Sequence, residues 1–303
     1  MKTAYKIGPA VIAIEIKSIP QVSDRSLWKG FKYSGNEAPS LTLRLGAERI
    51  ARETEAIPAC ELPGHWRLYE EKEAFYFEVL EPVEFQPKFR ARIEKTLSEA
   101  DVQIIPSASP AQKGTPGWHI EDLGSTVIQW WLAAWGALRK KGILFHGGAV
   151  AWDHRAAAFV GPSGAGKTTL AKICRDLGGA SVLSDERILV WREGEEWRVS
   201  GTPWAGMLGE ALPVSRALDR VFVLKKGTEN QQSLLAPKAV FPRLMTEAFF
   251  PLWSQEAMGN LLEQAQRLIS DTSVAELQFV NQASAASYLK SVLTPDLISV
   301  EKI

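Results

Sequence analysis

The chain has 303 residues, and its 35 Lys and Arg are balanced by 35 Asp and Glu, with 16 of each sign up to Trp118 and 19 of each beyond it. A protein that neutralises nucleic-acid phosphates carries a basic excess in some domain, and one that lies on membranes carries a polybasic stretch, so this chain is expected to do neither. Apolar residues at 46% and charged residues at 23% exclude wholesale disorder and supply a sizeable core, and the length suits about two domains of roughly 150 residues.

Cys60 and Cys174 are the only cysteines, too few for a disulfide framework. The opening segment has a short apolar stretch interrupted by Glu15 and Lys17, a poor signal peptide. The longest apolar segment, Val127 to Leu138, contains Gln129 and falls short of the ~18 residues that span a bilayer. A cytoplasmic protein is the expectation.

In chain order, the first hundred or so residues read as β-rich. Val11–Ile14, Leu41–Leu45, Phe75–Val79 and Phe89–Ile93 are β-branched, aromatic or alternating runs bounded by turn residues. Val102–Ile105 follows Ser98-Glu99-Ala100-Asp101, which reads as the turn of a hairpin. This β-rich N-terminal domain, residues 1–106, has no nucleophile, metal cluster or glycine-rich loop, and packing or partner binding is its expected role. A Pro-, Gly- and Ser-rich linker spans Pro106 to Gly117, placing the second domain at 118–303. A helix is predicted from about Glu121 to Lys140, with Ile128, Trp131, Trp135 and Leu138 on one face and Trp130 off it. Ile143–Trp152 and Ala156–Val160 read as strands joined by a tight turn at Asp153-His154, and strand and helix alternate beyond Gly161. Ala180–Ser184 and Val221–Leu224 are strand-like; Leu261–Ile269 and Ala283–Val292 are helical.

Gly161-Pro162-Ser163-Gly164-Ala165-Gly166-Lys167-Thr168 fits the phosphate-binding pattern G-x-x-x-x-G-K-[ST]. It follows the apolar strand Ala156–Val160 and precedes the helix-competent run from Thr169, the order this chemistry needs. The glycines let backbone N–H groups turn in on phosphate oxygens, and the helix N-terminus adds partial positive charge. Lys167 would neutralise the β- and γ-phosphates, and the Thr168 hydroxyl would ligate Mg²⁺. Asp185-Glu186 ends the next strand, 17 residues after Thr168. Two acids there suit one carboxylate associated with Mg²⁺ and one turned toward an acceptor hydroxyl. His146, 15 residues before Gly161, returns to the same sheet end if the intervening strands form a hairpin, and there it can position a carboxylate or shuttle its proton. A structural histidine is the competing reading. Gly201–Gly206 reads as a loop with Trp204 either over the site or in the core, and Arg243 as a surface arginine or a ligand for transferred phosphate.

His146-Gly147, the loop Gly161–Thr168 and Asp185-Glu186-Arg187-Ile188 resemble, in order and spacing, the core of HPr kinase/phosphorylase, a serine kinase in the structural group of phosphoenolpyruvate carboxykinase. The chain is more similar still to HPr-kinase-like proteins of comparable length encoded with peptide-modification genes, some of which resemble kinases for the C-terminal serine of lasso-peptide precursors. Tyr5–Pro9, Gly201–Gly206 and Val221–Leu224 also look like that group. The resemblance implies an α/β P-loop kinase core after the linker and a variable N-terminal domain. By position it makes Lys167 and Thr168 the phosphate and Mg²⁺ residues, and Asp185 the general base supported by His146. The family's two aspartates read Asp185-Glu186 here, with a gap from the loop one residue longer. The expected function is ATP- and Mg²⁺-dependent transfer of phosphate to a hydroxyl, a serine of a peptide or small protein. The alternatives are a small-molecule hydroxyl kinase and a non-catalytic ATP-binding regulatory or scaffold protein.

Overall fold

Alternation is the clearest local rule in the chain: along Leu41–Gly46, Leu41, Leu43 and Leu45 are buried while Thr42 and Arg44 are half-buried. One face of that strand therefore packs and the other meets solvent. The computed structural model describes residues 2–17, 22–23, 26–46, 48–52, 57–81, 86–105 and 118–293; the expected linker at 106–117 lies outside them. The protein is mixed α/β with two large sheets. It divides into two compact units, Met1–Trp135 with Leu252–Gln255, and Gly136–Pro251 with Glu256–Ile303.

The first unit contains β1 (Lys2–Ile7), β2 (Ala10–Ile16), β3 (Val22–Ser23), α1 (Ser26–Gly30), β4 (Lys32–Tyr33), β5 (Leu41–Gly46), β6 (Cys60–Leu62), β7 (Trp66–Glu70), β8 (Ala74–Leu80), β9 (Pro87–Glu94), β10 (Glu99–Ile104) and β11 (Trp118–His119). Nine strands form one sheet in the order β4-β1-β2-β5-β10-β9-β8-β7-β6, and β3 pairs with β11. The hairpin between β9 and β10 exists, but its turn is Lys95–Ser98 rather than the expected residues 98–101. Ala100 faces inward opposite Ile93, and that burial draws Glu99 and Asp101 into the strand. Leu97 takes the turn's left-handed conformation at φ 59°.

The expected tryptophan helix is interrupted. After α2 (Ile120–Leu123) a π-helical segment covers Gly124–Ile128 before α3 (Gln129–Leu138) resumes. The wider turn rotates the following side chains relative to a plain helical wheel, and Trp130, Trp131 and Trp135 are all buried. Trp131, fully buried, donates from its indole N–H to the Leu97 carbonyl at 2.6 Å. Trp131→Phe leaves that carbonyl unsatisfied and is expected to cost about 1–3 kcal/mol in chemical denaturation.

The second unit continues with β12 (Ile143–Trp152), β13 (Arg155–Val160), α4 (Lys167–Gly178), β14 (Ser181–Ser184), β15 (Arg187–Glu193), β16 (Glu196–Gly201), β17 (Ser215–Lys226), β18 (Gln231–Leu234), α5 (Pro237–Met245), α6 (Gln255–Asp271), β19 (Ser273–Phe279) and α7 (Ala283–Leu293). The hairpin predicted at Asp153-His154 is present, with Gly147 opposite Val160 and Trp152 opposite Arg155. β17 lies parallel to β13 on one side and to β19 on the other. Along these strands successive residues serve opposite faces. Ala158, Val160, Val221 and Val223 join a core that contains Val240 and Leu244 of α5 and Leu261 and Leu268 of α6. Phe159, Phe222 and Leu224 join another that contains Leu170 and Cys174 of α4 and Leu289 of α7. A strand buried on both faces has no polar alternation, which explains the continuous apolar run Val221–Leu224. Among the described residues no helix is long and apolar enough to cross a membrane.

Candidate functional site

At the C-terminal end of β13 the chain leaves the sheet through Gly161 and enters α4 at Lys167. The turn needs left-handed backbone at Gly164 (φ 77°) and Gly166 (φ 105°). At Gly166 a Cβ would also stand 2.8 Å from the Phe279 ring. Gly166→Ala is therefore expected to destabilise the unit by about 1–3 kcal/mol in a denaturant titration. Gly166 is also the N-cap of α4 and brings no side chain to it. The first amide groups of a twelve-residue helix thus face the loop without a side-chain cap, an arrangement suited to an anion.

Lys167 sits inside that cradle at 6% exposure. Its ammonium donates to the carbonyls of Gly161 at 2.5 Å and Pro162 at 3.4 Å. Burial pushes its pKa down, and the more distant charges of Glu247 and Glu186 pull the other way. Among the described residues no carboxylate stands within ion-pair distance of it. A cation folded back onto its own loop's carbonyls is under-compensated, and an entering anion would relieve it.

The two acids have different surroundings. Asp185 is fully buried. Its Oδ1 accepts from the Gly206 N–H at 2.8 Å and its Oδ2 from the Leu208 N–H at 3.2 Å. The loop holding Gly206 closes so tightly that a Cβ there would be 2.8 Å from Asp185 Oδ2. Glu186 instead has a half-exposed side chain, 3.5 Å from His146 Nδ1 and 3.1 Å from the Arg187 guanidinium. The main-chain N–H of His146 donates to the Glu247 carbonyl at 2.7 Å, and the residue lies opposite Arg187 in the β12–β15 pairing. The hairpin thus brings His146 back to the loop's end of the sheet, but its acidic partner is Glu186, not Asp185.

His146, Lys167, Thr168, Asp185, Glu186 and Gly206 border one cavity of about 580 Å³, which Ser163, Gly164, Gly166 and Thr169 of the loop also line. Arg187, to which the sequence reading gave no role, lines it too. Its pKa is pushed down by burial, against the pull of Glu186, and its Nε is buried with no hydrogen-bond partner. Its position in the Asp185–Ile188 run was the available signal. The backbone amides of Gly206 and Leu208 were beyond sequence reasoning, since a main-chain donor leaves no residue-type signature. Trp204 is buried, as in the core reading of that loop. Arg243 donates to Glu276 at 2.8 Å, a carboxylate it shares with Lys225, so it is held in an ion-pair cluster.

Among the described residues no three His, Cys, Asp or Glu side chains form a metal-binding group. Mg²⁺ at phosphates asks for less, one or two carboxylates or hydroxyls plus phosphate and water, and Thr168, Asp185 and Glu186 are the hydroxyl and carboxylates of this cavity that could supply them, Glu186 being paired with Arg187 here.

No family model and no curated protein matches the chain. Among solved structures it is similar to the Hpr(Ser) kinase/phosphatase from Coxiella burnetii, at 11% identity over 52% of this chain and 98% of that one, with a TM-score of 0.30. The likeness is distant at that score and leaves the chemistry to be read from the site.

Proposed function

We propose that the protein is an ATP- and Mg²⁺-dependent kinase with an HPr-kinase-like P-loop core, transferring the γ-phosphoryl group to a serine hydroxyl of a peptide or small protein. The observation that carries this reading is Lys167, a buried cation whose partners among the described residues are carbonyls, at an uncapped helix N-terminus. It shares its cavity with two acids and a histidine. ATP supplies the phosphoryl group and Mg²⁺ the positive charge that balances it. The Gly161–Thr169 segment binds phosphate oxygens through main-chain N–H groups, and Lys167 exchanges its carbonyl partners for them. Thr168 and Glu186 hold the metal, with His146 keeping the Glu186 carboxylate in place. Asp185 takes the acceptor's proton. Asp185 has no exposed surface, so the 206–208 loop opens as the acceptor enters, and a lone pair left free beside each amide bond receives the hydroxyl. Positioning and electrostatics supply most of the rate in such a transfer.

The closure of both Asp185 oxygens by backbone amides favours one other reading, a protein that binds ATP without transferring its phosphate. Incubation of the purified chain with γ-labelled ATP, Mg²⁺ and serine-containing peptides separates the two. Mg²⁺-dependent label on serine supports the kinase; tight ATP binding with no labelled acceptor overturns it.

A further inference from the structure

The first unit has a cavity of its own, of about 340 Å³, that no step of the proposed transfer uses. Its floor is a cross-strand row: Arg44 of β5 is opposite Asp101 of β10, Asp101 is opposite Arg92 of β9, and Arg92 is opposite Tyr76 of β8. Directly opposed residues point to the same face of a sheet, so these four side chains share one surface. A wall is supplied by residues 48–52. The Ile50 N–H donates to Gln103 Oε1 at 3.0 Å, Ile50 packs against Tyr69 and Tyr76, and the Arg52 guanidinium lies 3.6 Å from the Tyr69 ring centre. A cavity framed by paired strands and a tethered loop is largely preformed, and binding there requires little ordering.

The charged lining is four basic side chains, Lys17, Arg44, Arg49 and Arg92, against two acidic ones, Glu48 and Asp101. Arg44 is already committed, 2.6 Å from Glu99 and 3.8 Å from Asp101. Arg92 is half-buried and has no ion-pair partner among the described residues. A partly desolvated guanidinium without a partner presents a planar fork of donors that matches a carboxylate. Glu48 and Asp101 offset two of the four cations, which leaves the lining a net positive charge for an anion.

We infer that this cavity is a carboxylate-binding site in which Arg92 grips the ligand's two oxygens and Arg49 and Lys17 supply surrounding positive charge. The inference is independent of the kinase reading. The carboxylate belongs either to an acidic residue of a peptide or to a free small acid, and the test distinguishes them.

Titration calorimetry on the full chain would compare acetyl-Gly-Glu-Gly-amide, its Gln counterpart, glutarate and inorganic phosphate. At least one carboxylate ligand should bind about tenfold or more tighter than the neutral Gln peptide, the discrimination expected of charge-assisted over neutral hydrogen bonds. A tighter Glu peptide identifies a peptide source, and a tighter glutarate a small acid. Arg92→Gln should weaken carboxylate binding at least about tenfold with an unchanged melting temperature, and Lys167→Met should leave it intact. Phosphate binding that is as tight as carboxylate binding and is lost in Arg92→Gln, no carboxylate binding at millimolar concentration, or full carboxylate affinity in Arg92→Gln would overturn the inference. If Arg92→Gln does not fold, the exposed Arg49→Gln is read instead, and unchanged affinity there overturns it equally.

Discussion

Lys167→Met should lower Mg²⁺-dependent phosphoryl transfer at least about a hundredfold, the scale seen when one donor to developing negative charge is removed. The same variant should melt no lower than wild type at neutral pH, because it deletes a buried ammonium whose hydrogen-bond partners are two carbonyls and leaves an apolar chain of similar length. Burial holds the Lys167 pKa below its ordinary value of 10.5. Between the depressed folded value and 10.5 the unfolded chain binds more protons than the folded one, so stability rises with pH across that window. Below the folded value the destabilisation is present in full. The stability difference between variant and wild type should therefore shrink as pH climbs toward 10.5. Thermal melts of both proteins across neutral to alkaline pH read this directly. A difference that does not move with pH would show that the ammonium is not under-compensated, and normal transfer by the variant would remove Lys167 from the chemistry.

Asp185→Asn should abolish detectable transfer and also loosen the loop above it. The carboxylate accepts from two main-chain N–H groups, on Gly206 and Leu208. An amide can satisfy only one of them, since its NH₂ faces the other donor. The expected destabilisation is about 1–3 kcal/mol, measurable by denaturant titration, with amide exchange accelerated at 206–208. ATP affinity should change little, because Lys167 and the 161–169 segment, not Asp185, are assigned to the phosphates. Glu186→Gln is the informative companion. It leaves the Asp185 contacts alone and should weaken the Mg²⁺ dependence without the loop signature. If Asp185→Asn turned over acceptor at the wild-type rate, the base would have to be sought elsewhere, with the His146–Glu186 pair first in line.

How much of this was legible in the residues depends on how local each feature is. The strand, loop and helix around Gly161–Thr168 could be read because apolar run, glycines and helix-competent segment are contiguous. The Asp153-His154 hairpin was legible for the same reason, and it placed His146 at the correct end of the sheet. The turn after β9 was misplaced because Glu99 and Asp101 look like turn residues. Burial of Ala100 against Ile93 outweighs that local preference. The π segment at Gly124–Ile128 was invisible to a fixed helical period. β15, β16 and β19 were not anticipated, although together they supply Arg187, the strand leading to Gly201 and the strand beside β17.

The even charge of the chain and its glycine-rich loop, with a lysine at the helix start, were determined by sequence alone, since composition and contiguous backbone chemistry do not depend on distant partners. Only the tertiary structure decided what surrounds each acid. Asp185 and Glu186 are adjacent in sequence, yet one is sealed by amides 21 and 23 residues further on and the other meets a histidine from β12. Neighbouring residues at a strand end point in different directions, and what each meets is set by pairings between segments remote along the chain. The same reason hid the Arg44–Asp101–Arg92–Tyr76 row, which four strands assemble only once their register is set.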